Sequence, residues 1–76
     1  MTHYTNGDQI EVTCDGRTVE GVVLIASPNN VSLAIGFEAI FAGHVGMMPI
    51  FRHDDGVYRS IIDGKTEVFL QKKVVQ

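Results

Sequence analysis

The sequence predicts an all-β chain of five or six short antiparallel strands that closes into a small barrel. Three observations carry this expectation. Asp-Gly pairs at Asp15-Gly16, Asp55-Gly56 and Asp63-Gly64 separate short segments rich in β-branched and apolar residues, a strong local hairpin signal. The first of these segments alternates apolar and polar residues, whereas the second is apolar at every central position and so needs cover on both faces. No segment sustains a helical period long enough for an independent helix.

The first strand spans Gln9 to Cys14, opened by Gly7-Asp8, with Ile10, Val12 and Cys14 on the inward register. The second runs from about Arg17 to Ser27. Its continuous run Val22-Val23-Leu24-Ile25-Ala26 implies a bend between two sheets of a barrel, with Gly21 permitting the bend, or an outer face that meets another subunit. Pro28-Asn29-Asn30 makes a turn, because proline presets one φ angle and asparagine tolerates the left-handed region. The third strand follows, with Val31, Leu33, Ile35 and Phe37 inward and the small Ser32, Ala34 and Gly36 outward. Glu38 to Gly46 reads as a connection in which Phe37, Ile40 and Phe41 show helical spacing over too short a stretch. Met47 to Arg52 is an apolar run whose Pro49 places it at an edge or bulge. Val57 to Ile62 and Lys65 to about Lys72 complete the strands. The expectation is one domain over 1–76, with loose segments at 1–8 and 73–76.

A chain of 76 residues buries only roughly 60% of its unfolded surface and supports one modest core. The single cysteine, Cys14, excludes an intramolecular disulfide, and with three scattered histidines it forms no zinc framework. Oligomerisation is the stabiliser that remains. No stretch approaches the ~20 apolar residues that span a bilayer, and the first residues lack a basic region followed by an apolar one, so the expectation is a cytoplasmic protein with no membrane partner. Six Lys and Arg against nine Asp and Glu give a net charge of −3, which does not favour nucleic acid as a partner.

Small barrels of this kind are SH3-like, and residues 10–33 resemble the first half of the Sm-like RNA-binding fold. The likeness is carried by a strand, the Asp15-Gly16-Arg17 turn, Val19-x-Gly21 in the bent second strand, and a turn closing with Asn30 before Val31-x-Leu33. It covers about a third of the chain. Ser27 stands where that family usually has aspartate, the turn before Asn30 is one residue short, no amphipathic helix precedes the first strand, and the family's later Arg-Gly pair is missing. The resemblance implies the fold, a tendency to form rings or dimers, and nucleotide binding by Asn30.

Candidate sites follow from side-chain chemistry. Val22, Leu24, Met47, Met48, Ile50 and Phe51 are the candidate subunit interface, the methionines and aromatic also reading as core or as an adaptable binding face. Arg17, Asn30, His44, Arg52, Tyr58 and Arg59 are candidate ligand or nucleic-acid contacts, since basic groups beside an aromatic provide phosphate pairing and base stacking. His44 lies between Gly43 and Gly46, where backbone can approach a ligand closely. His44, His53, Asp54 and Asp55 are suitable metal ligands only if they converge, and His53-Asp54-Asp55-Gly56 reads more simply as a solvated turn. Cys14 reads as a small buried hydrophobe. No catalytic residue, cofactor or metal is assigned, and enzyme activity is not the expectation. The leading functional expectation is a non-catalytic interaction or structural module that forms a homo-oligomer, with another protein as a further candidate partner. The alternative is an Sm-like module that binds single-stranded RNA, and the third is a small enzyme or ligand-binding protein with its site at a subunit interface.

Overall fold

A computed structural model describes residues 2–73. Six antiparallel strands form a closed barrel: β1 (Gln9–Cys14), β2 (Arg17–Ala26), β3 (Ser32–Phe41), β4 (His44–Arg52), β5 (Tyr58–Ser60) and β6 (Glu67–Lys72). Among the described residues there is no helix. Each strand pairs with its neighbours in sequence, and β1 also pairs with β6, from Ile10↔Lys72 to Thr13↔Phe69, which closes the sheet. This is the small SH3-like, Sm-like type of barrel that the sequence predicts.

The interior is filled by the inward register. Ile10 and Val12 of β1, Val23 of β2, Leu33 and Ile35 of β3, Met48 and Ile50 of β4 and Val68 of β6 are all buried, in one cluster with Tyr4, Cys14 and Phe41. The alternation expected for β1 and β3 therefore holds. Burying a side chain of this size contributes on the order of 1.5–3 kcal/mol, so these few residues are the main stabilising element of a domain this small.

The connections differ from one another in ways the Asp-Gly signal does not convey. Asp15-Gly16 is a two-residue hairpin turn with φ of 55° and 80°, the left-handed pair that matches strand twist. Asp55-Gly56 instead belongs to a three-residue loop, in which the His53 amide donates to the Val57 carbonyl at 3.0 Å and Gly56 takes φ 83°. Asp63-Gly64 closes a longer turn, where the Gly64 amide donates to the Ser60 carbonyl at 2.8 Å and the Ser60 amide to the Thr66 carbonyl at 2.9 Å. The second two-residue hairpin has no Asp-Gly signal: it is Ala42-Gly43, with φ of 53° and 76°.

That hairpin corrects the assignment of residues 38–46 as a connection. β3 continues to Phe41 and β4 starts at His44, joined by the pairs Ile40↔Val45 and Phe41↔His44. Between Gly36↔Met47 and Ile40↔Val45 the register slips, so that Phe37, Glu38 and Ala39 stand opposite Gly46 alone, with Ala39 at φ 62°. The spacing of Phe37 and Phe41 misleads because four residues return a side chain to the same face of a helix and of a strand alike. Both rings turn inward here and meet edge to face at 5.7 Å.

The bend in β2 also sits elsewhere than expected. Register with β3 passes from Val23↔Ile35 to Ile25↔Ala34, so the extra residue is Leu24, and Leu24 and Ile25 are both exposed. Gly21 has a different role. A Cβ placed there would lie 2.8 Å from the Gly36 carbonyl oxygen, so glycine is what lets the β2 and β3 backbones approach.

The expectation of a loose segment at 1–8 is corrected for residues 4–8. Asn30, buried and at φ 59°, reaches across 26 residues: its Oδ1 accepts from the Tyr4 amide at 2.6 Å, and its Nδ2 donates to the Tyr4 carbonyl at 2.9 Å and the Ser27 carbonyl at 3.1 Å. Tyr4 thereby becomes a core residue. Gly7 and Asp8 continue the pairing beyond β1, the Gly7 amide donating to the Val23 carbonyl at 2.7 Å and the Val23 amide to the Asp8 carbonyl at 2.9 Å. Of the tail expected at 73–76, residues 74–76 lie outside the described residues. The Lys73 amide donates to the Gln9 carbonyl at 2.9 Å.

Asn30→Ala should destabilise the barrel by about 1–3 kcal/mol through unmet buried amides, plus about 1 kcal/mol for alanine in the left-handed region. Asn30→Gly should recover that second part, and urea unfolding of the two variants measures the difference.

Candidate interaction surface

The β-strand alternation that fills the core leaves an apolar outer face on β2, β3 and β4. Val22, Gly36 and Met47 lie side by side in the register, as do Ile25, Ala34 and Pro49, and then Ser32 and Phe51. Leu24 lies over Gly36, its side-chain carbons about 3.1 Å from where a Cβ would stand. Leu24, Ile25, Met47 and Phe51 are 44–65% exposed, and Ile61 continues the patch where its amide donates to the Pro49 carbonyl at 2.8 Å. The small residues of β3 form its floor. Single exposed apolar side chains are ordinary, but a contiguous set on one sheet face marks a surface that meets something.

Four of the six candidate interface residues, Val22, Leu24, Met47 and Phe51, belong to this face. Met48 and Ile50 do not, and this is a correction: both are fully buried, because in a strand every second residue points into the barrel. The apolar run 47–51 therefore serves two surfaces at once.

The candidate ligand contacts do not come together. Asn30 is consumed by its bonds to Tyr4 and Ser27 and is 3% exposed, which removes it as a nucleotide contact. Tyr58 is half-buried and its hydroxyl donates to the Asn30 carbonyl. Arg59, outward on β5 beside Phe51, is held by Asp55 at 2.8 Å and Glu67 at 2.9 Å, so its charge is neutralised locally. Arg52 reaches the Asn29 carbonyl at 3.4 Å. Arg17, at the opposite end of the barrel, lies over the Phe41 ring at 5.8 Å.

His44 is also corrected from an exposed loop to the interior, because the tight Ala42-Gly43 turn puts it on the inward register of β4. Its Nδ1 donates to the Ala42 carbonyl at 2.7 Å, so in the neutral ring Nε2 is the acceptor and the Ser60 hydroxyl donates to it at 2.7 Å. Ser60 Oγ in turn accepts from the Ile62 amide at 3.2 Å. A hydroxyl paired with an oriented imidazole is the arrangement that activates a nucleophile. Here Ser60 is 1% exposed and meets no space for a substrate, so the pair acts as a clamp between β4 and the turn after β5. The sequence carried no signal for Ser60.

His53 stands edge-on to Phe51 at 5.9 Å, and Asp55 is turned to Arg59. Among the described residues no group of three or more His, Cys, Asp or Glu comes together to hold a metal ion. Cys14 is buried, and its thiol pKa is raised by loss of solvation, then by Asp15 and Asp63. No described helix is long and apolar enough to cross a membrane.

The fold and this surface together define a small closed β-barrel with one apolar outer face. Comparison with known proteins finds no matching protein family, no matching curated protein and no matching solved structure.

Ser60→Ala should cost about 1–3 kcal/mol, because the buried His44 nitrogen loses its donor, read as a drop in the urea midpoint at unchanged slope. Two turns should weaken in acid. Asp63 is held at a pKa of about 2, first by the Thr66 hydroxyl and then by the Thr66 and Lys65 amides; Asp55 is likewise held at about 2, first by Arg59 and then by the Val57 amide. Both values lie below the unfolded carboxylate value of ~3.9, so their stabilisation is full above about pH 4 and is lost as pH falls toward 2. Melting temperatures measured from pH 5 to 2 should fall less steeply for Asp55→Asn with Asp63→Asn than for the native chain.

Proposed function

We propose that this protein is a non-catalytic interaction module that works as a homo-oligomer, its copies meeting through the outer face of β2, β3 and β4. The observation that carries the proposal is the contiguous apolar set Val22, Leu24, Ile25, Met47 and Phe51 around a floor of Ala34 and Gly36. A six-strand barrel this small has one interior, and its own side chains fill it. Among the described residues nothing covers the outer set. Leu24 covers Gly36 and stands proud of the small Ala34, so the face offers ridges and a recess to a facing sheet, and apolar area removed from water stabilises the contact by about 25 cal/mol per Å² before the costs of association.

The single-stranded RNA reading draws less support. It relied on Asn30, Arg17 and the Arg52 and Arg59 region; Asn30 is taken up by Tyr4 and Ser27, Arg59 is paired with Asp55 and Glu67, and Arg17 lies over Phe41 away from both. The net charge of −3 also works against gathering a polyanion.

Size-exclusion chromatography with light scattering tests the proposal. The native chain should run as a dimer or larger at micromolar concentration, and Leu24→Glu or Met47→Glu should shift it to monomer with little loss of melting temperature, since both side chains are outward. A native chain that is monomeric at these concentrations would remove the basis of the reading.

A further inference from the structure

The barrel is closed, yet one of its ladders is short. β2 and β3 pair from Ala26↔Leu33 only as far as Gly21↔Phe37, although β2 begins four residues earlier at Arg17 and β3 runs four residues further to Phe41. Over that length Arg17 to Glu20 pair with β1 alone, and Ile40 and Phe41 with β4 alone. The slip at Phe37 to Ala39 is the cause, because it turns the end of β3 away from β2.

The parity of hydrogen bonding shows which backbone groups face this seam. Val23 exchanges bonds with Gly7 and Asp8 on the β1 side, so by alternation Gly21, Val19 and Arg17 also point their amides and carbonyls at β1. The closing pair Cys14↔Arg17 of the two-residue hairpin agrees with that parity. Thr18 therefore aims its N–H and C=O into the seam, and Glu20 its N–H, the Glu20 carbonyl lying at the last rung beside Glu38. On the other wall, Phe41↔His44 closes the Ala42-Gly43 hairpin, so Ile40 turns its backbone groups the same way. Thr18, Glu20 and Ile40 are all exposed.

Side chains sort by face along the seam. Val19 and Phe37 are inward and only partly buried, and with Gly21, Ile10 and the outer-face residues Val22 and Leu24 they line an open groove of about 870 Å³. Glu20 and Glu38 lie at the same groove, and Glu11 stands beside Glu20 across the β1–β2 register. Lys73 pairs with Glu20 and Arg17 lies over Phe41 at the far end of the seam, which leaves the rim acidic by one charge, with three carboxylates to two cations.

We propose that this seam is a strand-addition site for an extended segment of a partner protein, in which basic residues alternate with apolar ones. The segment pairs with the β2 edge at Thr18 and Glu20. Its apolar side chains point inward onto Val19 and Phe37, and its basic side chains point outward to Glu20 and Glu38. Backbone pairing provides the affinity, and the two faces set the choice of sequence. The groove adjoins the apolar outer face at Val22, Leu24 and Gly36, but strand addition there does not require self-association.

The probe is a labelled, end-capped nine-residue peptide alternating lysine and valine, followed by fluorescence anisotropy, with amide exchange measured on the native chain. Micromolar binding is expected, with slowed exchange at Thr18 and Glu20. Methylating the peptide amides on one edge should weaken binding at least tenfold and needs no protein variant. Thr18→Pro should do the same, since it removes the N–H that faces the seam, and Thr18→Val, which like it loses the hydroxyl bonded to Thr13 but keeps that N–H, should bind as the native chain does, while Glu38→Lys should weaken binding at least threefold. Ile25→Glu, outward and not part of the groove, should bind as the native chain does. The proposal is overturned if the native chain does not bind the peptide, if the methylated peptide binds equally well, or if exchange slows elsewhere than at the seam.

Discussion

A strand left at the edge of a sheet exposes a row of unmet amides and carbonyls, and in this protein β1 removes that problem by pairing with β2 on one side and β6 on the other. Closure then dictates where nearly every side chain can go. A closed single layer has one inside, which Ile10, Val12, Val23, Leu33, Ile35, Met48, Ile50 and Val68 occupy. Every second residue of each strand must then face outward. Where those outward residues are apolar, as on β2 and β4, the described residues form no second layer to set against them.

Polar groups inside the barrel are few, and each fastens residues that are not partners in a strand ladder. Asn30 ties the N-terminal segment at Tyr4 to the β2–β3 turn, and Tyr58 from β5 bonds to the same residue. At the other end His44 and Ser60 connect the β3–β4 hairpin to the turn before β6. No buried side-chain nitrogen or oxygen is left without a partner among the described residues. In a core with so little apolar area to draw on, complete satisfaction of these groups matters, because one unmet buried polar atom costs about as much as a buried methylene group or two contributes.

The fold class was legible in the sequence because alternation and turn chemistry are local. Ile10, Val12 and Cys14 announce an inward register, and Asp15-Gly16 announces its hairpin. The unbroken apolar run in β2 likewise signalled a demand for cover on both faces, although the bulge that splits its faces falls at Leu24 rather than at Gly21. The features that stayed hidden depended on long-range partners. Asn30 reads as a turn residue until Tyr4 is known to lie against it, and His44 reads as a loop residue because Ala42 is an unexpected occupant of a left-handed turn position. Met47 and Met48 are indistinguishable by composition, and only strand parity sends one outward and the other into the core.

Ala39 and Ala42 both hold a backbone shape that alanine resists, at φ 62° and 53°, within four residues of each other. Together they store roughly 2 kcal/mol or more that the surrounding pairs must offset. At the tip the ladders provide only Ile40↔Val45 and Phe41↔His44, and the His44–Ser60 bond and the Arg17 guanidinium over the Phe41 ring hold it from the sides. Fluctuation should therefore begin at Ala39 and Ile40, between the slip in the ladder and these fastenings. The gap beside β2 then belongs to the portion of the molecule with the most freedom to widen, reshape and close again around whatever enters it.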